Sequence, residues 1–410
     1  MDNKNTNSYK WVLLALVVCS IAGVAYTQFQ ITASTMVPVL FQTLGIGVAQ
    51  FSALTTAAML VGVVFAIIGG VIADKIGPKK TCTIALALSL LGAILRINAS
   101  TYGMYFLAMF LIGFGGSFLS MCSAKLFAAW FAPAEMAVAM GCMMAAGSFG
   151  SFITNATTNA LFNGNLKAAS TVGSIVIGIM LVLWVLFLKE KPAGAPEFPP
   201  MPVLEPLKKA LRSKNVWIIG IAAAFAMGFQ MVLNVNYQNA LATAKAATPA
   251  MCSLYSTILT IGGAVGSIAV PGICAKLGKN RPSVLLFSVL GAALVYVGWA
   301  YCDGIAMALL IAVGAFLGFG AIPVIMGYPA LLEEIGPMNA GSAAGLITTI
   351  QMAGAFFLPS YVLAPMATNA AGTNFTTLFL YGCVCAVLTG VFAFLLPELG
   401  TKALAEKAGK

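Results

Sequence analysis

The residues in this 410-residue sequence whose types and depth could do chemistry are two cations and a small set of amides and phenols. Lys125 lies inside an apolar run, six residues before the Phe131 and Pro133 break, which at 1.5 Å per helical residue is about 9 Å from the helix end. A cation there attracts an anion if it faces a cavity. Otherwise it snorkels to the surface, or pairs with Asp74, Glu135 or Glu333 as a gate. Arg96 falls near the end of its own run, where snorkelling is expected. Tyr26, Gln28, Gln30, Asn155, Asn159, Gln230, Asn234, Tyr255 and Gln351 interrupt other apolar runs, and such groups either bind a polar ligand or join helices. The expected ligand-binding set is Tyr26, Gln30, Lys125, Gln230, Asn234, Tyr255 and Gln351.

Other chemistry is poorly supplied. Asp2, Asp74, Glu135, Glu190, Glu197, Glu205, Asp303, Glu333, Glu334, Glu398 and Glu406 all map to loops, helix ends or tails, and none to a helix centre. Histidine, the commonest catalytic base and metal ligand, does not occur. The nine cysteines form no C-x-x-C pair and read as small buried hydrophobes. No phosphate-loop lysine follows the glycine runs at 113–116, 147–150, 262–266, 314–320 and 341–354, which instead allow helices to approach closely. Neither an enzyme nor a bound cofactor or metal is expected.

The elements that position these residues follow from composition. Hydrophobic side chains make up 60% of the chain, charged ones 8%, and mean hydropathy is +0.98, whereas soluble proteins carry about 25% charge. Soluble enzymes, disordered chains, fibrous proteins and nucleic-acid binders are excluded, leaving an integral membrane protein. A bilayer core about 30 Å thick needs roughly 20 apolar residues per helix. Twelve runs satisfy this: 11–41, 47–76, 80–97, 101–131, 134–160, 168–188, 215–240, 248–276, 281–300, 304–330, 338–366 and 375–397. Pro38 and Pro359 are expected bends. Of the 21 basic residues, all but Arg96, Lys125, Lys167 and Lys245 fall on one side when the amino terminus is cytoplasmic. Both termini are therefore expected inside, in a multi-pass protein of the cytoplasmic membrane.

The proline-rich segment 189–214 divides an amino-terminal half, 1–188, from a carboxy-terminal half, 215–410. Gly70 to Lys80 aligns with Pro271 to Arg281, Gly113-Phe-Gly115 with Gly318-Phe-Gly320, and Gly141 to Gly150 with Gly345 to Gly354, each about 200 residues later. The fold class expected is an all-α membrane protein, twelve transmembrane helices as two parallel six-helix repeats around a central cavity.

The twelve runs, the two halves and the loop signature Gly70, Asp74, Lys75, Gly77, Lys79 and Lys80 together resemble the major facilitator superfamily. The resemblance covers nearly the whole chain and implies alternating access, with Gly70, Asp74, Lys75, Gly77 and Lys79 as a cytoplasmic gate. Trp130-Phe-Ala-Pro133, followed by Glu135, Ala137, Ala139 and Gly141, is similar to the helix 4 to helix 5 connection of the oxalate/formate, monocarboxylate and nitrate/cyanate branches. Helix 4 has no arginine before Gly113, helix 5 no Gly-Pro signature, and helices 8 and 11 no central basic residue. Recognition of a doubly charged anion, or of nitrate in the manner of those carriers, is not expected. The expected function is secondary transport of a small organic anion, a monocarboxylate first, with a neutral or amphipathic solute as the alternative. The partners expected are a small-molecule substrate and the lipid bilayer, with no nucleic acid, and the working form is expected to be a monomer.

Overall fold

The computed structural model describes residues 3–131, 133–191, 204–335, 340–370 and 372–400, with the side chains of 3–8, 70, 74, 133–134, 137, 204, 330 and 340 outside that set. The chain forms two compact units, Met1–Gly45 with Ala57–Met201, and Ile46–Thr56 with Pro202–Lys410.

The first unit contains α1 (Asn3–Phe29), α2 (Val37–Leu44), α4 (Met59–Phe65), α5 (Ile68–Ile76), α6 (Pro78–Ile97), α7 (Tyr102–Trp130), α8 (Pro133–Phe162) and α9 (Leu166–Phe187); α3 (Val48–Thr56) groups with the second. That second unit continues through α10 (Leu204–Arg212), α11 (Lys214–Ala244), α12 (Pro249–Leu277), α13 (Asn280–Tyr301), α14 (Gly304–Met326), α15 (Ala340–Phe357), α16 (Ala364–Met366) and α17 (Phe375–Phe394). A two-residue hairpin pairs Thr368 with Thr373. Among the described residues ten helices are long and apolar enough to cross a membrane, eleven if Val37–Leu44 and Val48–Thr56 are read as one broken span. The 30-residue α8 and the run through α3, α4 and α5 complete the twelve-helix arrangement.

Helix starts follow local chemistry. Thr101, Asn165, Ser213, Thr248 and Asn374 each accept a hydrogen bond from the backbone N–H three residues on, at the starts of α7, α9, α11, α12 and α17. Each satisfies a donor that the helix leaves unpaired and is worth about 1 kcal/mol. The outer faces carry exposed apolar residues such as Leu186 and Ile268, as expected where lipid replaces water as the neighbour. Packing repeats between units. α1 packs on α7, α8 and α9, and α6 on α7 and α9, just as α11 packs on α14, α15 and α17, and α13 on α14 and α17. The same partners in the same chain order mark two parallel repeats.

Several boundaries differ from expectation. The first run does not continue to residue 41: α1 ends at Phe29, a 3-10 turn covers Gln30–Thr32, and α2 begins separately. Pro38 is no bend, because it occupies the first turn of α2, where its missing N–H costs nothing. The second run is interrupted at 57–58 and 66–67, and the tenth ends at Met326. Pro359, the other expected bend, falls in a π-helical turn, Leu358–Leu363. Much of the linker lies outside the described residues, but its end forms α10, with Pro206 in the first turn. None of the nine cysteines forms a disulfide. Six are buried, whereas Cys19 and Cys142 are exposed, contrary to their reading as core residues.

Candidate functional site

The first unit encloses a cation that the sequence placed at a surface. Arg96, the penultimate residue of α6, is only 2% exposed and does not snorkel. Its Nε donates to Ser170 Oγ at 3.1 Å, its Nη1 to the Thr27 carbonyl at 2.6 Å and to Met109 Sδ at 3.9 Å, and its Nη2 to Gln30 Oε1 at 2.7 Å. Snorkelling fails because four hydrogen bonds draw the guanidinium inward among α1, α7 and α9. Every acceptor is neutral, and among the described residues no carboxylate pairs with it. Burying an ion costs several kcal/mol, which neutral acceptors offset in part while leaving the charge uncancelled.

Gln30 belongs to the turn that ends α1 and is fully buried. Its carbonyl oxygen is taken by Arg96, while its Nε2 has no partner among the described residues. Tyr105, also buried, lies against Arg96 and Ser170. The close approach depends on Gly173 of α9: a Cβ there would sit 2.7 Å from Thr27 Cγ2, 3.0 Å from Gln30 Oε1 and 3.2 Å from Arg96 Nη2. Tyr26 is buried one turn earlier, and its carbonyl accepts from Thr154 Oγ1 at 3.1 Å.

The other candidates are distributed elsewhere. Lys125 is half-buried on α7, sixteen residues beyond the Met109 that touches Arg96, or about 24 Å along the helix. The two cations cannot hold one small ion together. Glu135, one of the partners considered for Lys125, pairs with Lys10 at 2.6 Å. Asn159 joins helices: its Oδ1 accepts from Ser34 Oγ at 3.3 Å, Thr35 N at 3.1 Å and Thr35 Oγ1 at 2.9 Å. Asn155 is half-buried on the same helix.

In the second unit Gln230 and Asn234 are half-buried on α11, and Gln351 is buried on α15. Tyr255 is buried on α12, with Gly304 near its hydroxyl. Several residues absent from the expected set are more deeply engaged. Asn236 accepts from Ser52 Oγ at 3.3 Å, and Thr56 and Ser360 share a hydrogen bond at 3.2 Å, all within this unit. Tyr237 packs against both Trp299 and Phe379, and its hydroxyl has no partner among the described residues. Trp299, near the end of α13, donates Nε1 to Thr376 Oγ1 at 3.1 Å, much as Arg96 near the end of α6 donates to Ser170. The repeat thus conserves the N–H to hydroxyl contact but puts the charge in one unit alone.

Of the expected gate, Gly70 and the Asp74 side chain lie outside the described residues. Gly77 has φ +86°, a conformation open chiefly to glycine, and a Cβ there would meet Glu190 Oε1 at 2.7 Å. That carboxylate accepts from the Lys79 N–H at 2.7 Å, placing negative charge at the start of α6, and Lys79 Nζ donates to the Leu188 carbonyl at 2.7 Å. Lys75 is exposed. Glu398 serves α13 in the same way, accepting from Asn280 N at 2.7 Å and Arg281 N at 3.2 Å. These glutamates carried no recognisable signal, since each caps a helix more than a hundred residues away in sequence. For Arg96 the available signal was its presence in an apolar run beside Gln30 and Ser170 in two others, which only helix pairing connects.

Residues 18–359 match the family model described as Major Facilitator Superfamily. A Thermus thermophilus protein described as a probable nitrate/nitrite antiporter NarK1 is 24% identical over 386 residues, covering 83% of this chain and 82% of its own. An uncharacterized Archaeoglobus fulgidus protein is 25% identical over 177 residues, 42% of this chain and 76% of its own. Among solved structures, a bacterial homolog of the human lysosomal transporter Spinster, inward-facing and unoccupied, superposes with TM-score 0.73 at 12% identity, covering 94% of this chain and 95% of that one. The nucleoside transporter NupG gives TM-score 0.73 at 15% identity, covering 93% and 99%. These likenesses bear on fold.

Proposed function

The chain belongs to the Major Facilitator Superfamily and is a membrane transporter, and on that premise we propose that it is a secondary carrier of a small monovalent organic anion, a monocarboxylate first. The observation that carries this reading is the sign of the charge inside the first unit, where Arg96 is buried among neutral acceptors. A buried cation without a carboxylate favours an anionic ligand and disfavours a cationic one. The relative described as a nitrate/nitrite antiporter supports a monovalent anion and adds nitrate and nitrite to the compounds worth testing.

No acidic side chain maps to the centre of a span, so exchange, uniport or a proton carried by the substrate fits better than a carboxylate relay. Transport would proceed by alternating access using the halves 1–188 and 215–410, working as a monomer with both termini cytoplasmic. Gln230, Asn234, Tyr255 and Gln351 would contribute uncharged contacts. Gly70, Asp74, Lys75, Gly77 and Lys79 would form the cytoplasmic gate, with Glu190 holding its Lys79 end.

Counterflow in proteoliposomes tests the reading. Labelled acetate, lactate, nitrate, a nucleoside and a hexose are each loaded against their unlabelled form. Accelerated exchange of a monovalent anion, with none for the neutral solutes, is the expected result. Exchange confined to neutral solutes overturns the anion assignment and leaves the alternative substrate class standing.

A further inference from the structure

We propose that Arg96 and Gln30 together form a binding site for a planar monovalent oxyanion, a carboxylate or a nitrate-like ion, in which the Gln30 amide changes partners when the ion binds. The inference rests on the anion reading above and names the residues that would carry it.

Two independent observations converge. Arg96 holds a full positive charge against neutral acceptors alone, and one N–H of its Nη2 is not used by the Gln30 bond. Directly beside it, the Nε2 of the fully buried Gln30 lacks a partner among the described residues. A buried amide donor without an acceptor carries an unpaid desolvation cost. Both groups therefore call for an acceptor, and one bearing a single negative charge would satisfy both and cancel the charge.

Geometry indicates how. Gln30 Oε1 now occupies the Nη2 donor at 2.7 Å, where one oxygen of an oxyanion would sit. Gln30 lies in a 3-10 turn after α1 has ended, so its side chain can turn with no long helix rebuilt. Rotation of the amide removes Oε1 from Nη2 and presents Nε2 instead, leaving both N–H groups aimed at the incoming ion. Planar oxyanions match the flat guanidinium fork better than a spherical ion does. Gly173 supports the exchange, since any Cβ there would press on both Gln30 Oε1 and Arg96 Nη2. Tyr105 and Ser170 lie against Arg96, with Ser170 Oγ accepting from its Nε.

The test uses the purified full-length chain, with sodium acetate and sodium nitrate as probes at constant ionic strength, and reads binding by thermal stabilisation and by retention of labelled ion. Gln30→Glu places a carboxylate against Arg96, cancelling its charge internally, and should weaken binding by about tenfold or more while keeping the protein folded. Gln30→Met keeps the length but removes the donor and should also weaken binding. Lys276→Gln, at an exposed position on α12 in the second unit, should leave it within about twofold. Tighter binding of acetate than nitrate identifies a carboxylate site, and the reverse identifies an inorganic oxyanion site; either supports the assignment. Undiminished binding in both Gln30 variants overturns it while leaving the anion reading intact. No binding of either ion to the unaltered protein removes the anion reading itself.

Discussion

Gly147 and Gly150 sit one turn apart on α8, yet alanine should have opposite effects at the two positions. A Cβ at Gly150 would lie 2.3 Å from the Ala22 carbonyl oxygen and 2.8 Å from Ala25 Cβ, both on α1, whereas a Cβ at Gly147 meets nothing within 4 Å. To restore van der Waals separation at Gly150, α1 and α8 must part by on the order of 1 Å. Overpacking of this kind costs roughly 1–3 kcal/mol. Replacing glycine by alanine within a helix returns about 0.5–1 kcal/mol. The expected balance for Gly150→Ala is a loss of about 1–2 kcal/mol, against a gain of up to about 1 kcal/mol for Gly147→Ala. Tryptophan-fluorescence melting of the two purified variants in one detergent measures the difference directly. The order of stability should be Gly147→Ala, unaltered protein, Gly150→Ala. If Gly150→Ala melts at or above Gly147→Ala, the backbone-level contact between α1 and α8 is wrong.

Two further outcomes follow from polar contacts. Glu190→Ala removes the carboxylate from the start of α6, and Glu398→Ala does the same at α13; each should cost about 1–2 kcal/mol and speed amide exchange at Lys79 or Asn280 respectively. Unchanged protection of those amides would show that the glutamates do not cap. Asn159→Leu strands donors from Ser34 and Thr35 and should lower stability by about 2–3 kcal/mol. If its stability is unaltered, Asn159 is a ligand group and not a join between elements.

Membrane class and the paired repeats were legible because they depend on summed quantities, namely apolar length and glycine landmarks recurring in order. The end of α1 was less so. Residues 30–41 remain apolar enough to extend the run, and only the geometry of the turn at Gln30–Thr32 and of the next residues, Ser34 and Thr35, which Asn159 from α8 holds, shows that the helix has stopped. Gln30 was identifiable as a polar group at depth, but its orphaned amide nitrogen was not, because that depends on which of its atoms Arg96 already occupies. Lys125 drew attention by its distance from a helix end. Arg96, near an end, concealed its burial, since snorkelling and inward capture look alike in one dimension.

Composition and its long apolar runs required a bilayer and helices, which satisfy their backbone in lipid by internal hydrogen bonding, and the order of the glycine landmarks added the repeat. Tertiary structure decided which cation is enclosed and by what. The acceptors of Arg96 come from α1, α7, α9 and the turn after α1, and lie up to 74 residues from it in sequence. Local pattern sets the length and polarity of a helix. It does not set the rotation that brings Gly173 against Gln30 and Arg96, and it is that rotation which gathers scattered polar residues into a charged, buried cluster.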